Sequence, residues 1–219
     1  TEIKTAADFE LIRENPSGSY KLMKDITLPD TYIPIAFSGK LIGADAENLP
    51  VITVNVGAED VTDVTGVLQY NWGLFSQISG AVQIKNIEVA GSITGGDGNG
   101  SYSWAYTGGI AGHAVELSEG AIIENCVNSA TITSGQNRAE GTGGIIGKDF
   151  SSGSVSLEIK DCLNEGVVTA TKNVGGIVGC TKAIISGCVN NGSVSGSTNV
   201  GGIAGLLVDG RISKSVNYG

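Results

Sequence analysis

Charge is scarce in this chain of 219 residues, and positive charge is scarcer still. Charged residues make up 16%, with 13 Lys+Arg against 22 Asp+Glu and a formal net charge of −9. Without an excess of cations, nothing displaces the counterions of a polyphosphate or an anionic lipid surface. Nucleic acid and acidic membranes are therefore poor partners. A soluble extracellular protein and cation binding both remain compatible with this balance. No apolar run approaches the roughly 18 residues of a membrane-spanning helix. The opening TEIKTAADFE has no basic-plus-apolar leader. That fits a cytosolic protein or one whose leader was removed, and removal is expected for reasons given below. The four cysteines, Cys126, Cys162, Cys180 and Cys188, form no C-x-x-C pair, which argues against a zinc knuckle or a thioredoxin-type site.

What is abundant is glycine, 34 of 219 residues, about twice the usual ~7%. Many of these glycines sit in one motif. TGGIAG stands at 107–112, TGGIIG at 142–147, NVGGIVG at 173–179 and NVGGIAG at 199–205. A nucleotide-binding loop needs G-x-x-x-x-G-K-[ST], or G-x-G-x-x-G between a strand and a helix. Neither pattern fits here. Gly109, Gly144, Gly176 and Gly202 are 35, 32 and 26 residues apart. A period of roughly 20–50 residues marks a repeat architecture instead.

Aligned on the motif, the repeats share columns. Ile84, Ile123, Ile159, Ile185 and Ile212 form one; Ile87, Cys126, Cys162, Cys188 and Ser215 another. Val89, Asn128, Asn164, Asn190 and Asn217 follow, then Ile93, Ile132, Val168 and Val194. The column before the isoleucines (Gln83, Ile122, Glu158, Ile184, Arg211) is unconstrained and is expected to face out. The three-residue step from Ile to Cys breaks strand alternation, which predicts a corner. Each unit thus reads as about three short strands: GGIxG, IxxCxN and xGxV. Stacked copies of a 26-residue unit of short strands predict a parallel β-helix. The isoleucines would form an inward ladder, and the asparagines an amide ladder satisfying buried backbone groups. Three cysteines in one column read as stacked buried thiols, with a disulfide or a metal site as alternatives. Cys180 falls in the column of His113, Lys148 and Leu206 and is expected to be unpaired.

The chain opens on a capping-box pattern, Thr5 with Asp8, which predicts a helix to about Glu14 with Ala6, Phe9 and Ile12 on one face. The expected organisation is one domain, 1–219: a cap over 1–18, divergent first coils over 19–72, and repeats over 73–219. The fifth repeat halts at Gly219, before its last strand, which fits an incomplete rung or a cut from a longer protein.

GLF at 73–75 and the GGI-x-G copies followed by I-x-x-C-x-N resemble GLUG-motif repeat proteins of bacteria. TAADFELIRENPSGSYKLMKDITL resembles the start of such proteins in gut Bacteroidetes. The resemblance covers roughly residues 3–219. It implies a right-handed parallel β-helix, the hand coming from the family. It also implies a secreted or surface location, as in adhesins and the non-catalytic N-terminal regions of immunoglobulin A-cleaving metallopeptidases. The metallopeptidase chemistry needs H-E-x-x-H. This chain has one histidine, His113 in GHAVE, so that chemistry is excluded here, and no cofactor is implied.

Function is expected where the repeat is interrupted. GGDGNGSYSWAY (95–106) places Tyr102, Trp104 and Tyr106 at alternating positions. In an extended segment their rings share one side, a platform for sugars or a protein partner. Covering a flank of the helix is the plainer alternative. Tyr70 and Trp72 precede the previous GLF and are grouped with the platform, as is Arg138 in the second insertion, SGQNRAEG (134–141). Asp97 and Asn99 in DGNGS resemble the start of a calcium loop without its Gly and distal Glu. Asp45, Glu47, Asp60 and Asp63 are the acidic candidates for an enzyme, and His113 the only candidate histidine base. No G-x-S-x-G elbow occurs. The expected function is a non-catalytic, adhesin-like binding module for a glycan or a surface protein, as a monomer or with weak end-to-end association. The alternatives are a carbohydrate-active enzyme on the same scaffold and a structural spacer.

Overall fold

The computed structural model describes residues 1–57, 71–95, 105–135, 139–149 and 155–219, with only the backbone of Ala139. The protein is all-β with parallel pairing and one short α-helix. Among the described residues the strands lie in four sheets, here I to IV, of 8, 10, 5 and 6 strands. The third repeat shows the circuit. Ile146–Asp149 lies in sheet IV, Glu158–Lys160 in sheet I, Leu163–Asn164 and Val168–Thr169 in sheet II, and Lys172–Gly175 in sheet III. Val178–Thr181 then returns to sheet IV. Each strand thus pairs with its counterpart one repeat away.

The isoleucine column is continuous. Ile84 pairs with Ile123, Ile123 with Ile159, Ile159 with Ile185 and Ile185 with Ile212. Leu41 and Tyr20 extend it toward the N-terminus. Ile84 to Ile185 are fully buried, while the residues before them are half-buried or exposed. The expected corner between Ile and Cys is present. Asn86, Asn125, Asp161, Gly187 and Lys214 hold it, all with φ between 49° and 66°. Asparagine, aspartate and glycine are the residues that tolerate this left-handed region best.

Two features differ from the three-strand reading. The corner divides IxxCxN between sheets I and II, so it is two strands. The residues just before the glycines, such as Lys172–Gly175, form a further strand in sheet III. This strand is hard to read because its inward residues are Trp72, Thr107, Thr142, Val174 and Val200. Mixed polar and apolar types hide a period-2 signal.

The asparagine ladder forms as expected. Asn128 Nδ2 donates to Asn164 Oδ1, Asn164 to Asn190 and Asn190 to Asn217, each at 2.7 Å. The same amides donate to the carbonyls of Ala130, Gly166, Gly192 and Gly219. These carbonyls lie at a turn, where no ladder bond reaches them. The ladder also explains the second glycine of each GG pair. A β-carbon on Gly109, Gly144, Gly176 or Gly202 would collide with Asn128, Asn164, Asn190 or Asn217 respectively. Where the motif has one glycine, Gly73, the ladder position is Val89. The ladder starts one repeat later, leaving the buried Asn128 Oδ1 without a partner among the described residues.

The cysteines are free and buried. Cys126, Cys162 and Cys188 point their thiols at backbone carbonyls, including Ile84 O, Ile123 O and Ile159 O. Burial pushes the Cys162 thiol well above its ordinary range. Contact with Cys162, together with burial, does the same at Cys188.

At the N-terminus, Ala6–Glu10 is a helix with the expected Thr5–Asp8 capping box. It is shorter than expected and ends in a 3-10 turn, Leu11–Arg13. Phe9 and Ile12 are fully buried. Phe9 stacks on Phe75, and Phe75 on Phe37 at 4.6 Å between ring centres.

Candidate functional site

The strands that flank residues 96–104 pair with the strands that flank residues 136–138. Before them, Ser92–Gly95 pairs with Thr131–Ser134. After them, Ala105–Gly108 pairs with Ala139–Gly143. The described strands on either side of the two interruptions are therefore paired, before them in sheet II and after them in sheet III. Tyr70, Asp97, Asn99, Tyr102, Trp104 and Arg138 lie outside the described residues, as do Asp60 and Asp63.

The register separates two residues that the sequence grouped. Tyr106 pairs with Asn71, whereas Trp72 pairs with Thr107. Alternation then puts Trp72 on the opposite face from Tyr106. Trp72 is 2% exposed and lies in the core, so it is no part of a surface platform. Its Nε1 has no hydrogen-bond partner among the described residues.

Tyr106 faces outward but is not an open shelf either, being only 6% exposed. Its ring lies 4.6 Å from the His113 ring. Lys148 Nζ donates to the Tyr106 hydroxyl at 2.7 Å and sits 4.4 Å from its ring centre. His113, Lys148 and Cys180 stand in one column of sheet IV. His113 and Lys148 are half-buried, Cys180 is buried. Burial and the Lys148 charge push the His113 pKa down to about 4, so the imidazole is neutral near pH 7. Beside this column, Lys172 pairs with Glu140 at 2.7 Å. Asn173 donates to the Glu140 carbonyl, and Asn199 to Asn173 Oδ1. This second asparagine pair was not read from the sequence, although NVGGI occurs twice; both residues have φ near 50°.

Comparison with family models, curated proteins and solved structures returned no match.

Two grooves flank sheet I. One, of about 400 Å3, is lined by Glu119 and Glu158 together with Lys85 and Ser156. The other, of about 430 Å3, lies at the left-handed corner around Gly187. Between them runs an ion-pair ladder: Glu124 accepts from Lys85 at 2.8 Å and from Lys160 at 2.6 Å. Those two lysines, Lys160 foremost, hold the Glu124 carboxyl below its ordinary range. Asp45, one of the acidic candidates, accepts from the Glu47 and Asn48 amides in an exposed turn. Among the described residues, no group of three or more His, Cys, Asp or Glu is placed to hold a metal ion. No helix there is long and apolar enough to cross a membrane.

Proposed function

We propose that the four parallel sheets close into a right-handed β-helix and that the chain is a non-catalytic, adhesin-like binding module, secreted or on a bacterial surface. The GLUG-like motif is the basis for the hand, the class and the location. The observation that carries the binding reading is the Tyr106–Lys148–His113 cluster. It puts an aromatic ring, a cation and a neutral imidazole together beside the strand pair that follows the two interruptions of the repeat. A glycan or a surface protein is the ligand class that such mixed groups suit. The Tyr106 ring is covered rather than an open shelf.

A glycan array with the intact chain tests this reading. Tyr106→Ala and Lys148→Ala should each weaken binding at least tenfold, and Trp104→Ala should do the same. Unchanged binding in all three variants removes this cluster as the site, and no binding by the wild type leaves a spacer. A second reading, a carbohydrate-active enzyme, rests on Glu119 and Glu158 lining one groove, since glycosidases use paired carboxylates. Release of reducing sugar, lost in both Glu119→Gln and Glu158→Gln, would establish it instead.

A further inference from the structure

His113 and Lys148 share one aromatic ring. They stand in register on neighbouring strands of sheet IV, and both reach Tyr106. The His113 and Tyr106 ring centres are 4.6 Å apart. Lys148 Nζ lies 4.4 Å from the Tyr106 ring centre and donates to its hydroxyl at 2.7 Å. The ring beneath them is 6% exposed. Parallel strands step about 4.8 Å, so the two basic side chains leave the backbone about one step apart. A neutral imidazole packs against a phenol as one ring on another. An imidazolium would be a second cation at a ring that already holds one.

No carboxylate among the described residues faces His113 to balance that charge. Four strands pack against its own strand, Ala111–Leu117. Phe75–Gly80 puts Gln77 opposite His113, and Asn71–Trp72 carries no titratable group. Ala105–Gly108 brings Tyr106, and Ile146–Asp149 brings Lys148. Asp149 pairs with Ala114, so it lies on the opposite face of the sheet from Lys148 and His113. On the strand of His113 itself, Glu116 is exposed at a left-handed bend, φ 46°. Among these groups Lys148 is the charge that acts on the imidazole, and it opposes protonation as a like charge does.

We infer that the cluster is an acid-operated clasp: protonation of His113 drives Lys148 off Tyr106 and uncovers the ring. The proton comes from solvent to the imidazole, and the Lys148 hydrogen bond to the phenol is the bond that breaks. Lys148 is the partner that leaves because its ammonium sits on a flexible four-carbon stem and is strongly hydrated. The imidazolium, on a shorter side chain, stays over the ring. The clasp needs no ligand, so its failure and the failure of the binding reading are separate outcomes.

NMR of the whole chain with 13C-labelled tyrosine and histidine tests it, with a soluble nitroxide to broaden the signals of exposed rings. Tyr106→Phe identifies the Tyr106 signal among the six tyrosines, and His113 is the one histidine. In the wild type Tyr106 should be protected at neutral pH and broadened once His113 has titrated. In His113→Gln it should stay protected throughout. In Lys148→Ala it should be broadened already at neutral pH, and the His113 midpoint should rise. Tyr32, 4% exposed in the core, should stay protected in every case. The inference is overturned if Tyr106 remains protected after His113 titrates, if His113→Gln exposes it equally in acid, or if Lys148→Ala leaves it covered. Joint exposure of Tyr32 and Tyr106 overturns it too, because acid then opens the whole fold rather than the clasp.

Discussion

The side-chain amide of Asn164 fills the space into which a β-carbon on Gly144 would project. The two residues belong to different motifs, GGIIG and IKDCLN, and neither explains itself alone. The backbone must come close enough at Gly144 to leave room for a buried amide. The amide must be there because Gly166 O and its ladder neighbours need a partner. Gly144→Ala should therefore be destabilising by about 1–3 kcal/mol, the usual cost of overpacking. For a domain of this size that is about 2–4 °C in Tm per kcal/mol. Asn164→Ala should not rescue it, because the Gly176 carbonyl blocks the same β-carbon. Calorimetry showing an unchanged Tm for Gly144→Ala would discard this account.

Position along the ladder should matter. Asn164 is fully buried and bonds Asn128, Asn190 and Gly166 O. Replacing it with leucine strands these groups, and a buried unsatisfied group costs about 1–3 kcal/mol. Asn217 is exposed, so water can replace its amide. Chemical denaturation should show a loss of several kcal/mol for Asn164→Leu and less than about 1 kcal/mol for Asn217→Leu. Equal losses would mean that the ladder bonds are not what stabilises this column.

The thiol column should tolerate serine. Ser215 already occupies it and donates to Ser213 O at 3.0 Å, as Cys162 Sγ does to Lys160 O at 3.3 Å. Cys162→Ser keeps a donor aimed at the same type of carbonyl, so the expected cost is about 1 kcal/mol. Reducing agent should leave Tm unchanged. A thiol reagent should label the three ladder cysteines only after unfolding, and rapid labelling of the native protein would contradict their burial.

His113 sets a pH dependence. Its pKa is pushed from 6.5 to about 4 in the fold, so between these values the unfolded chain binds more protons. Stability then rises with pH across this window and is lost as pH falls from 6.5 toward 4. Lys148 and Tyr106 are the titratable groups against the ring. Glu124, held low by Lys160 and Lys85, adds a loss at lower pH that wild type and variant share. His113→Gln should flatten the Tm profile between pH 4 and 6.5. An unaltered profile would refute the assignment.

Trp72 gives an optical check on the register. In Trp104→Phe it is the one remaining tryptophan of the two. It is 2% exposed and its Nε1 is unpartnered among the described residues. Emission should be blue-shifted and resist acrylamide. Red-shifted, easily quenched emission would place Trp72 outside and undo the pairing of Thr107 with Trp72.

The residues of the repeat were legible because they recur. Ile84 to Ile212, the cysteines and the asparagines declare their columns by identity, and the broken step between Ile and Cys announces the corner at Asn125 and Asp161. The sheet III strand was not legible, since Trp72, Thr107 and Val174 share a face without sharing chemistry. The candidate site was read less well for a related reason. Alternation along 102–106 predicts relative orientation within one segment, but it says nothing about whether Trp72, thirty-odd residues earlier, shares that phase.

The sequence by itself determined the period, the parallel stacking of like residues, the helix cap and the buried amide ladder. Each follows from local chemistry repeated at fixed spacing. Only the tertiary structure decided that Asn164 lies on Gly144, and that Tyr106 is covered by His113 and Lys148 while Trp72 turns inward. These depend on which residues of successive repeats come into register, and register belongs to pairs of strands far apart in the chain rather than to any one segment.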